Sequence, residues 1–211
     1  MTENTDNSSV PLADPALIEG YRTAATAIIS DNLDRLPGAI GLRPFHRGGS
    51  MVGTAITVRT REGDNLWIHK ALDLLQPGHV LVVDGGGDVS RALIGEIMAT
   101  IARHRGAAGM VLDGAVRDVD VLSESDFPIF ARAAIHRGPY KSGPGAINVP
   151  VSVGGMMVRP GDIVVGDGDG VVAFPQEGAA ELLLTVRAQE EREAEMLQSI
   201  REGRYTGAYG K

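Results

Sequence analysis

The chain has no cysteine, and of its 211 residues only three are lysine: Lys70, Lys141 and Lys211. Without cysteine there are no disulfides, no thiolate nucleophile and no Cys-built metal site. The scarcity of lysine narrows Schiff-base chemistry, which needs an amine desolvated in a pocket. Lys70 falls within a helical pattern and Lys211 is the last residue, so Lys141, in a Gly/Pro-rich stretch, is the one remaining candidate. The five histidines, at 46, 69, 79, 104 and 136, form no close pair, which disfavours a His-built zinc site. No G-x-S-x-G elbow is present. No apolar run approaches the length of a membrane-spanning helix. The first ten residues, MTENTDNSSV, lack the basic start and apolar centre of a signal peptide. A net charge of -7 argues against a nucleic-acid partner held by a basic face. The expectation is a cytoplasmic enzyme or binding protein with no membrane and no nucleic acid among its partners.

What is present is an ordinary globular composition, 43% hydrophobic and 22% charged, sized for one domain. Residues 1–12 read as a disordered tail, 13–175 as a single α/β domain, and 176–211 as a C-terminal helix and arm. Residues 15–33 have helical spacing, with Asp14 as N-cap and Pro15 at the first helical position. VGTAITVRT (52–60) and HVLVVD (79–84) read as strands, DNLWIHKALDLL (64–75) as a helix. SRALIGEIMATIARHRG (90–106) reads as a helix ending at Gly106, followed by a strand GMVLD and a short strand in FPIFAR. Residues 149–175 are short β runs cut by Gly-Gly, Pro-Gly and Asp-Gly turns. Residues 176–203 form one long helix, Glu-rich and polar nearly all round in its second half. Such a helix lies on the surface or reaches a neighbouring subunit. Tyr205 and Tyr209 beyond it are aromatic anchors of the kind that settle on a partner.

The chemistry left over is that of carboxylate, arginine and glycine. Carboxylates suit hard cations such as Mg²⁺ or Mn²⁺. A dinucleotide reading of VVDGGGDVSRALIGE fails, because Ser90 replaces the third glycine of G-x-G-x-x-G and no acidic partner follows at the right distance. A helix starting at Gly95 would still offer the N–H groups of Glu96, Ile97 and Met98 to an anion. In GMVLDGAVRDVDVL (109–122), Arg117 and Asp118 follow the apolar strand. Arg117 carries a planar fork matched to a carboxylate, and Asp118 a hard oxygen for a metal. A surface salt bridge, or Asp118 capping the next turn, accounts for the pair equally well.

Glu96 is followed by twenty residues and then directly by Arg117-Asp118. This resembles the acidic-x20-Arg-Asp signature of the 4-hydroxy-4-methyl-2-oxoglutarate aldolase family, the class II pyruvate aldolases, which share a fold with the regulator of ribonuclease E activity A. TAIISDNLD (26–34), VVDGGGDVSRALIGEIMA (82–99), GMVLDGAVRDVD (109–120), FPIFARA (127–133) and NVPVSVGGMMVRPGDIVVGDGDGVVAFP (148–175) carry the resemblance. It implies a layered α-β-β-α sandwich of the swivelling-domain type with a long C-terminal helix, assembled as a trimer or hexamer. It also implies cleavage of 4-hydroxy-2-oxo acids to pyruvate and a second oxo acid, with oxaloacetate decarboxylation alongside. By position, Asp118 would ligate a divalent metal, Arg117 would bind the pyruvyl oxygens, and Glu96 would hold a metal-bound water. The N–H groups of Ile97 and Met98 after Gly95 would receive the pyruvyl carboxylate. A Glu from the next subunit's C-terminal helix would complete the site. Counting back ten residues from Gly203 gives Glu193, crowded by Glu190, Glu191 and Glu195. Candidates for the distal end of the substrate are Arg43, His46, Arg47 and Arg159. The alternative the resemblance leaves open is a non-catalytic trimer that binds a ribonuclease or another protein. No S-adenosylmethionine-type glycine loop is evident.

Overall fold

The structure is a computed structural model that describes residues 9–35 and 38–207. The chain runs α1 (Pro15–Tyr21), α2 (Thr26–Asp31), β1 (Arg43–Pro44), β2 (Met51–Thr60), α3 (Leu66–Leu72), β3 (His79–Asp84), β4 (Ala92–Ile94), α4 (Glu96–His104), β5 (Gly109–Val116), α5 (Val119–Glu124) and β6 (Ile129–Ala134). It continues with β7 (Gly145–Ile147), β8 (Val151–Val153), β9 (Met156–Val158), β10 (Ile163–Asp167), β11 (Gly170–Phe174) and α6 (Ala179–Arg201). One sheet follows the order β1-β6-β5-β3-β2-β10-β11, with β4 added to β5 and β7 to β2, while β8 and β9 form a separate hairpin. The centre, β2-β3-β5-β6, is parallel, and the flanks are antiparallel.

Strands that read as unbroken apolar runs are buried on both faces. Leu81, Val83, Met110, Leu112 and Ile129 point to a core shared with Trp67, Ile68 and Leu72 of α3 and Met98 and Ala102 of α4. Their alternates Val80, Val82, Val111 and Phe130 point into a second core with Val151, Val153 and Val158 of the hairpin and Val164 and Val171. Across β10 and β11 the alternation repeats, and Ile163, Val165, Val172 and Phe174 face Tyr21, Ile29, Leu182 and Val186 of α1, α2 and α6. Three apolar seams thus separate four layers, in the order helices, sheet, sheet, helices. This is the layered α/β sandwich expected from the sequence, with its long C-terminal helix.

Three elements depart from the sequence reading. The helix expected over 15–33 breaks between Tyr21 and Thr26. Asp167, at the end of β10, takes the Thr26 N–H at 2.8 Å and the Thr26 hydroxyl at 2.6 Å, so α2 starts afresh on a cap from 141 residues away. Asp14 does cap α1, accepting from the Ala16 N–H at 2.7 Å. The helix expected from residue 90 surrenders 92–94 to β4, which pairs with the end of β5 and leaves α4 to begin at Glu96. The strand expected to stop at Asp113 continues to Val116, its register against β6 shifting between Leu112 and Ala115. Of the expected tail, residues 1–8 lie outside the described residues. Val10 is buried, and the Pro11 carbonyl accepts from Gln176.

Tyr21 fixes α6 against the sheet. Its ring meets Phe174 at 5.0 Å, and its buried hydroxyl donates to the Ala179 carbonyl at 2.6 Å. Burial pushes its phenol far above the ordinary value, so it is a donor at every working pH. Tyr21→Phe should cost about 1 kcal/mol, the usual net worth of such a bond. In urea unfolding the midpoint should fall while the slope stays constant. An unchanged midpoint would show that the hydroxyl contributes nothing to seating α6.

Candidate active site

β4 decides the site. Its pairing with β5 sets Ala92 beside Ala115 and Ile94 beside Val116, and the Arg117 N–H donates to the Ile94 carbonyl at 3.0 Å. The next residues of each segment, Gly95-Glu96 and Arg117-Asp118, are therefore neighbours in space although 22 positions apart. The Glu96 N–H donates to Asp118 Oδ2 at 3.0 Å. Gly95 is extended, so no unusual backbone angle demands glycine there. Close approach does: a Cβ on Gly95 would overlap the Asp118 carboxylate and lie 2.9 Å from Arg117 Cγ.

Asp118 occupies the left-handed region, at φ 60° and ψ 38°. Asp is among the few residues that enter that region readily. It stands at the N-cap position of α5 but makes no side-chain cap there. The carboxylate turns instead to the start of α4 and caps that helix. The Arg117–Asp118 contact is loose, 3.8 Å from Nε to Oδ2, with both side chains 41% exposed. The pair is thus a loose ion pair at the surface, and a local N-cap describes only the backbone of Asp118. The Ile97 and Met98 N–H groups, second and third in α4, meet no acceptor among the described residues, as at any helix start without further caps. They carry the positive end of the helix dipole.

Asp113, the other carboxylate at this strand's exit, has a different task. It is buried, pairs with Arg132 and accepts from the Gly154 N–H at 3.0 Å, tying the β8–β9 turn to β5.

Arg117, Asp118, Gly95, Ile97 and Met98 line a cleft of about 140 Å³, whose opposite wall brings Asn65, His69, Pro139 and Lys141. The Glu96 side chain is exposed and lines the neighbouring groove between α4 and α5. Glu193 lies on α6, which packs on α1 and α2 on the far side of the sheet, and accepts from Gln189 at 2.8 Å. Within one chain the fold does not bring Glu193 to the cleft. The sequence-based distal candidates do not line it either. Arg43 stacks on Phe45, and His46 is buried against the Ile129 backbone. The Arg47 N–H binds Ser125, and the Arg159 N–H binds Asp162.

Lys141 reaches the cleft because its loop is clamped. Asp64 is fully buried and accepts from the N–H groups of Leu66, Ser142 and Gly143 at 2.9, 2.9 and 2.7 Å, and from Arg61 at 3.1 Å. Burial alone would raise its carboxyl, but these donors outweigh it and hold the group below its ordinary 3.8. The ring of Tyr140 is flanked by the guanidiniums of Arg61 at 5.5 Å and Arg91 at 4.1 Å. Trp67 Nε1 donates to Gly143 at 3.2 Å. Lys141 itself is exposed, unlike the desolvated amine of Schiff-base catalysis.

Could the site hold a divalent cation? Among the described residues no group of three His, Asp or Glu converges anywhere. Asp118 offers one carboxylate whose Oδ1 accepts no hydrogen bond among the described residues. That suits Mg²⁺, which keeps several waters and is held by one or two carboxylates together with substrate oxygens. It does not suit a closed zinc cage.

The chain is similar to known proteins over most of its length. The family model RraA-like, described as Aldolase/RraA, matches residues 26–173. A protein of Halalkalibacterium halodurans, provisionally named 4-hydroxy-4-methyl-2-oxoglutarate aldolase, is 42% identical over 160 residues, covering 75% of this chain and 76% of its own. A crystal structure of an uncharacterized Pseudomonas syringae protein superposes with a TM-score of 0.82 at 30% identity, over 92% of this chain and 96% of that one. The RNA-processing inhibitor RraA from Thermus thermophilis gives 0.65 at 35% identity, over 72% and 93%.

Asn65, His69 and Pro139 were missed in the sequence. The available signal was spacing: Asn65 and His69 are four apart on one helix and share a face.

The Asp64 clamp has a pH signature. A carboxyl held low in the folded state contributes stability that is complete above its ordinary value of 3.8 and is lost as pH falls through the lower folded value. Acidification below about pH 4, or Asp64→Asn at neutral pH, should lower the protection of the Ser142 and Gly143 amides relative to their intrinsic exchange rate at the same pH. Either should also shift the emission of Trp67, the sole tryptophan. Unchanged protection of those two amides would show that the clamp lies elsewhere.

Proposed function

This chain belongs to the RraA-like family, and on that premise we propose that it is a divalent-metal-dependent class II aldolase. It cleaves 4-hydroxy-2-oxo acids, of the 4-hydroxy-4-methyl-2-oxoglutarate or 4-carboxy-4-hydroxy-2-oxoadipate type, to pyruvate and a second oxo acid. It decarboxylates oxaloacetate as a side reaction. The observation that carries the reading is the junction of the Asp118 carboxylate, the Arg117 guanidinium and the open start of α4 at the mouth of one cleft.

The pieces match the reaction's needs. The Ile97 and Met98 N–H groups receive the 2-oxo acid's carboxylate, as helix starts receive anions. Arg117 faces the 2-oxo oxygen and stabilises the negative charge that develops there when the C3–C4 bond breaks. Asp118 would hold Mg²⁺ or Mn²⁺, and Glu96 would hold a water on that ion. When bound, that ion supplies Lewis-acid polarisation of the 2-oxo group. Oxaloacetate fits the same site because loss of its distal carboxylate leaves the same pyruvate enolate. A second reading, a non-catalytic trimer that restrains a ribonuclease, is supported by the likeness to the Thermus inhibitor. Pyruvate release from a panel of 4-hydroxy-2-oxo acids and oxaloacetate, with and without Mg²⁺, separates the two.

Assembly belongs to the proposal. The second half of α6 is exposed along its length, including Met196, Leu197 and Ile200 at 42%, 51% and 48%. Tyr205 is also exposed, whereas Tyr209 lies outside the described residues. We place this overhang on a neighbouring copy in a trimer or hexamer, where Glu193 completes the neighbour's cleft.

Asp118→Ala and Arg117→Lys should each lose about 10²–10³ in kcat, the range for removing a group that stabilises developing charge. Lys keeps the charge but not the fork. Near-normal pyruvate release by Arg117→Lys, or full activity in excess EDTA, would sink the assignment. Mixing inactive Asp118→Ala with inactive Glu193→Ala under proven subunit exchange should restore part of the activity. Failure to do so would refute a shared site.

A further inference from the structure

The cleft that Asp118 lines also holds two buried polar atoms that meet no partner among the described residues. Asn65 Nδ2 donates to the Leu93 carbonyl at 3.0 Å and lies 3.3 Å from Met98 Sδ, which leaves Oδ1 as the free end of the amide. Asn65 Oδ1 and His69 Nε2 are both buried without a hydrogen-bond partner among the described residues, and both residues line the cleft. Asn65 is the N-cap of α3, and His69 lies one turn into that helix. An orphaned buried atom destabilises the fold unless a ligand or water meets it. An amide oxygen only accepts. A ligand group that meets the amide oxygen must therefore bring a proton, which a carboxylate lacks and a hydroxyl carries, and a hydroxyl can pass that proton to a neighbouring imidazole lone pair.

The surroundings keep the imidazole able to accept that proton. Burial lowers its basicity, Lys141 lowers it further, and Asp73 opposes both from the next turn of α3. Asp73 is itself paired with Arg105 at 2.7 Å. Arg117 and Asp118 are the other charged residues that line the cleft with the ring and Lys141. A neutral ring protonated on Nδ1 presents a lone pair at Nε2.

Resting on the aldolase reading above, we infer that the Asn65–His69 wall receives the substrate's 4-hydroxyl and that His69 Nε2 takes its proton as the C3–C4 bond breaks. The electron pair of the O–H bond becomes the second bond of the new carbonyl. The C3–C4 pair passes to C3 and forms the enolate of pyruvate. The proton on Nε2 is returned when C3 is protonated, so acid and base balance over one turnover. Lys141 helps keep the ring uncharged beforehand.

Oxaloacetate provides the control, because its decarboxylation reaches the same enolate with no hydroxyl to deprotonate. With the full chain and Mg²⁺, His69→Gln should lower kcat on 4-hydroxy-4-methyl-2-oxoglutarate by about 10²–10⁴, the usual worth of a general base. The same variant should lower kcat on oxaloacetate by less than about tenfold. Circular dichroism melting and Trp67 emission check the fold, and His69→Asn carries the same comparison if His69→Gln does not fold. Equal losses on both substrates, or no loss on the hydroxy acid, overturn the inference while wild-type turnover leaves the aldolase reading intact. A wild-type protein inactive on both substrates overturns the aldolase reading and this inference with it.

Discussion

One hydrogen bond, from the Glu96 N–H to the Asp118 carboxylate, organises the functional end of this molecule. It joins the start of α4 to the end of β5, and both sides are adapted to make it. Gly95 clears the space in which the carboxylate lies, and Asp118 accepts a left-handed backbone. A residue in such a conformation costs about 1–3 kcal/mol when not glycine, so the surrounding structure must hold it in place. Here that support is β4, three residues hooked onto the end of β5 by parallel pairing. A helix capped by a distant carboxylate also keeps its next two N–H groups open. Anion capacity at the Ile97 and Met98 donors is thus a by-product of how α4 is started.

The opposite wall depends on a second carboxylate used in the reverse way. Asp118 is half exposed with one oxygen uncommitted, whereas Asp64 is sealed and saturated with donors. The first is available to a ligand. The second serves only to hold the Pro139–Lys141 stretch against α3, with Tyr140 flanked by two arginines as a further fastening. The cleft between these walls carries cations from both sides, Arg117 and Lys141, against the single carboxylate of Asp118. That imbalance favours an anionic ligand, and one more positive charge brought by a metal would favour it further. The amide of Asn65 and the imidazole of His69 line the same cleft.

The far side of the molecule has a separate economy. Tyr21 and Phe174 seat the first half of α6, and Val186 is its last buried residue. Beyond it the helix runs on with Met196, Leu197 and Ile200 exposed. Its length exceeds what the domain can cover, which is why the proposed assembly draws on a neighbour.

Much of this was legible from the sequence, and the reasons for success and failure are local and non-local respectively. Unbroken apolar runs announced β3 and the first half of β5, because strands buried on both faces have no polar alternation to lose. Asp14-Pro15 announced α1, and the spacing from Glu96 to Arg117-Asp118 announced the junction that the fold makes. Tertiary structure alone decided the rest. The chain breaks at residues 22–25 because Asp167, at the end of β10, starts α2 anew. Residues 92–94 become a strand because β5 offers an edge there, overriding a helical pattern that continues through them. Asp118 looked like a cap for its own helix and instead caps another, a choice set by a backbone angle that no local pattern records. Asn65, His69 and Lys141 become one wall only when a buried Asp64 draws the 138–145 loop onto α3. Periodicity within a segment is written in the sequence, whereas which segments meet depends on every other contact in the fold.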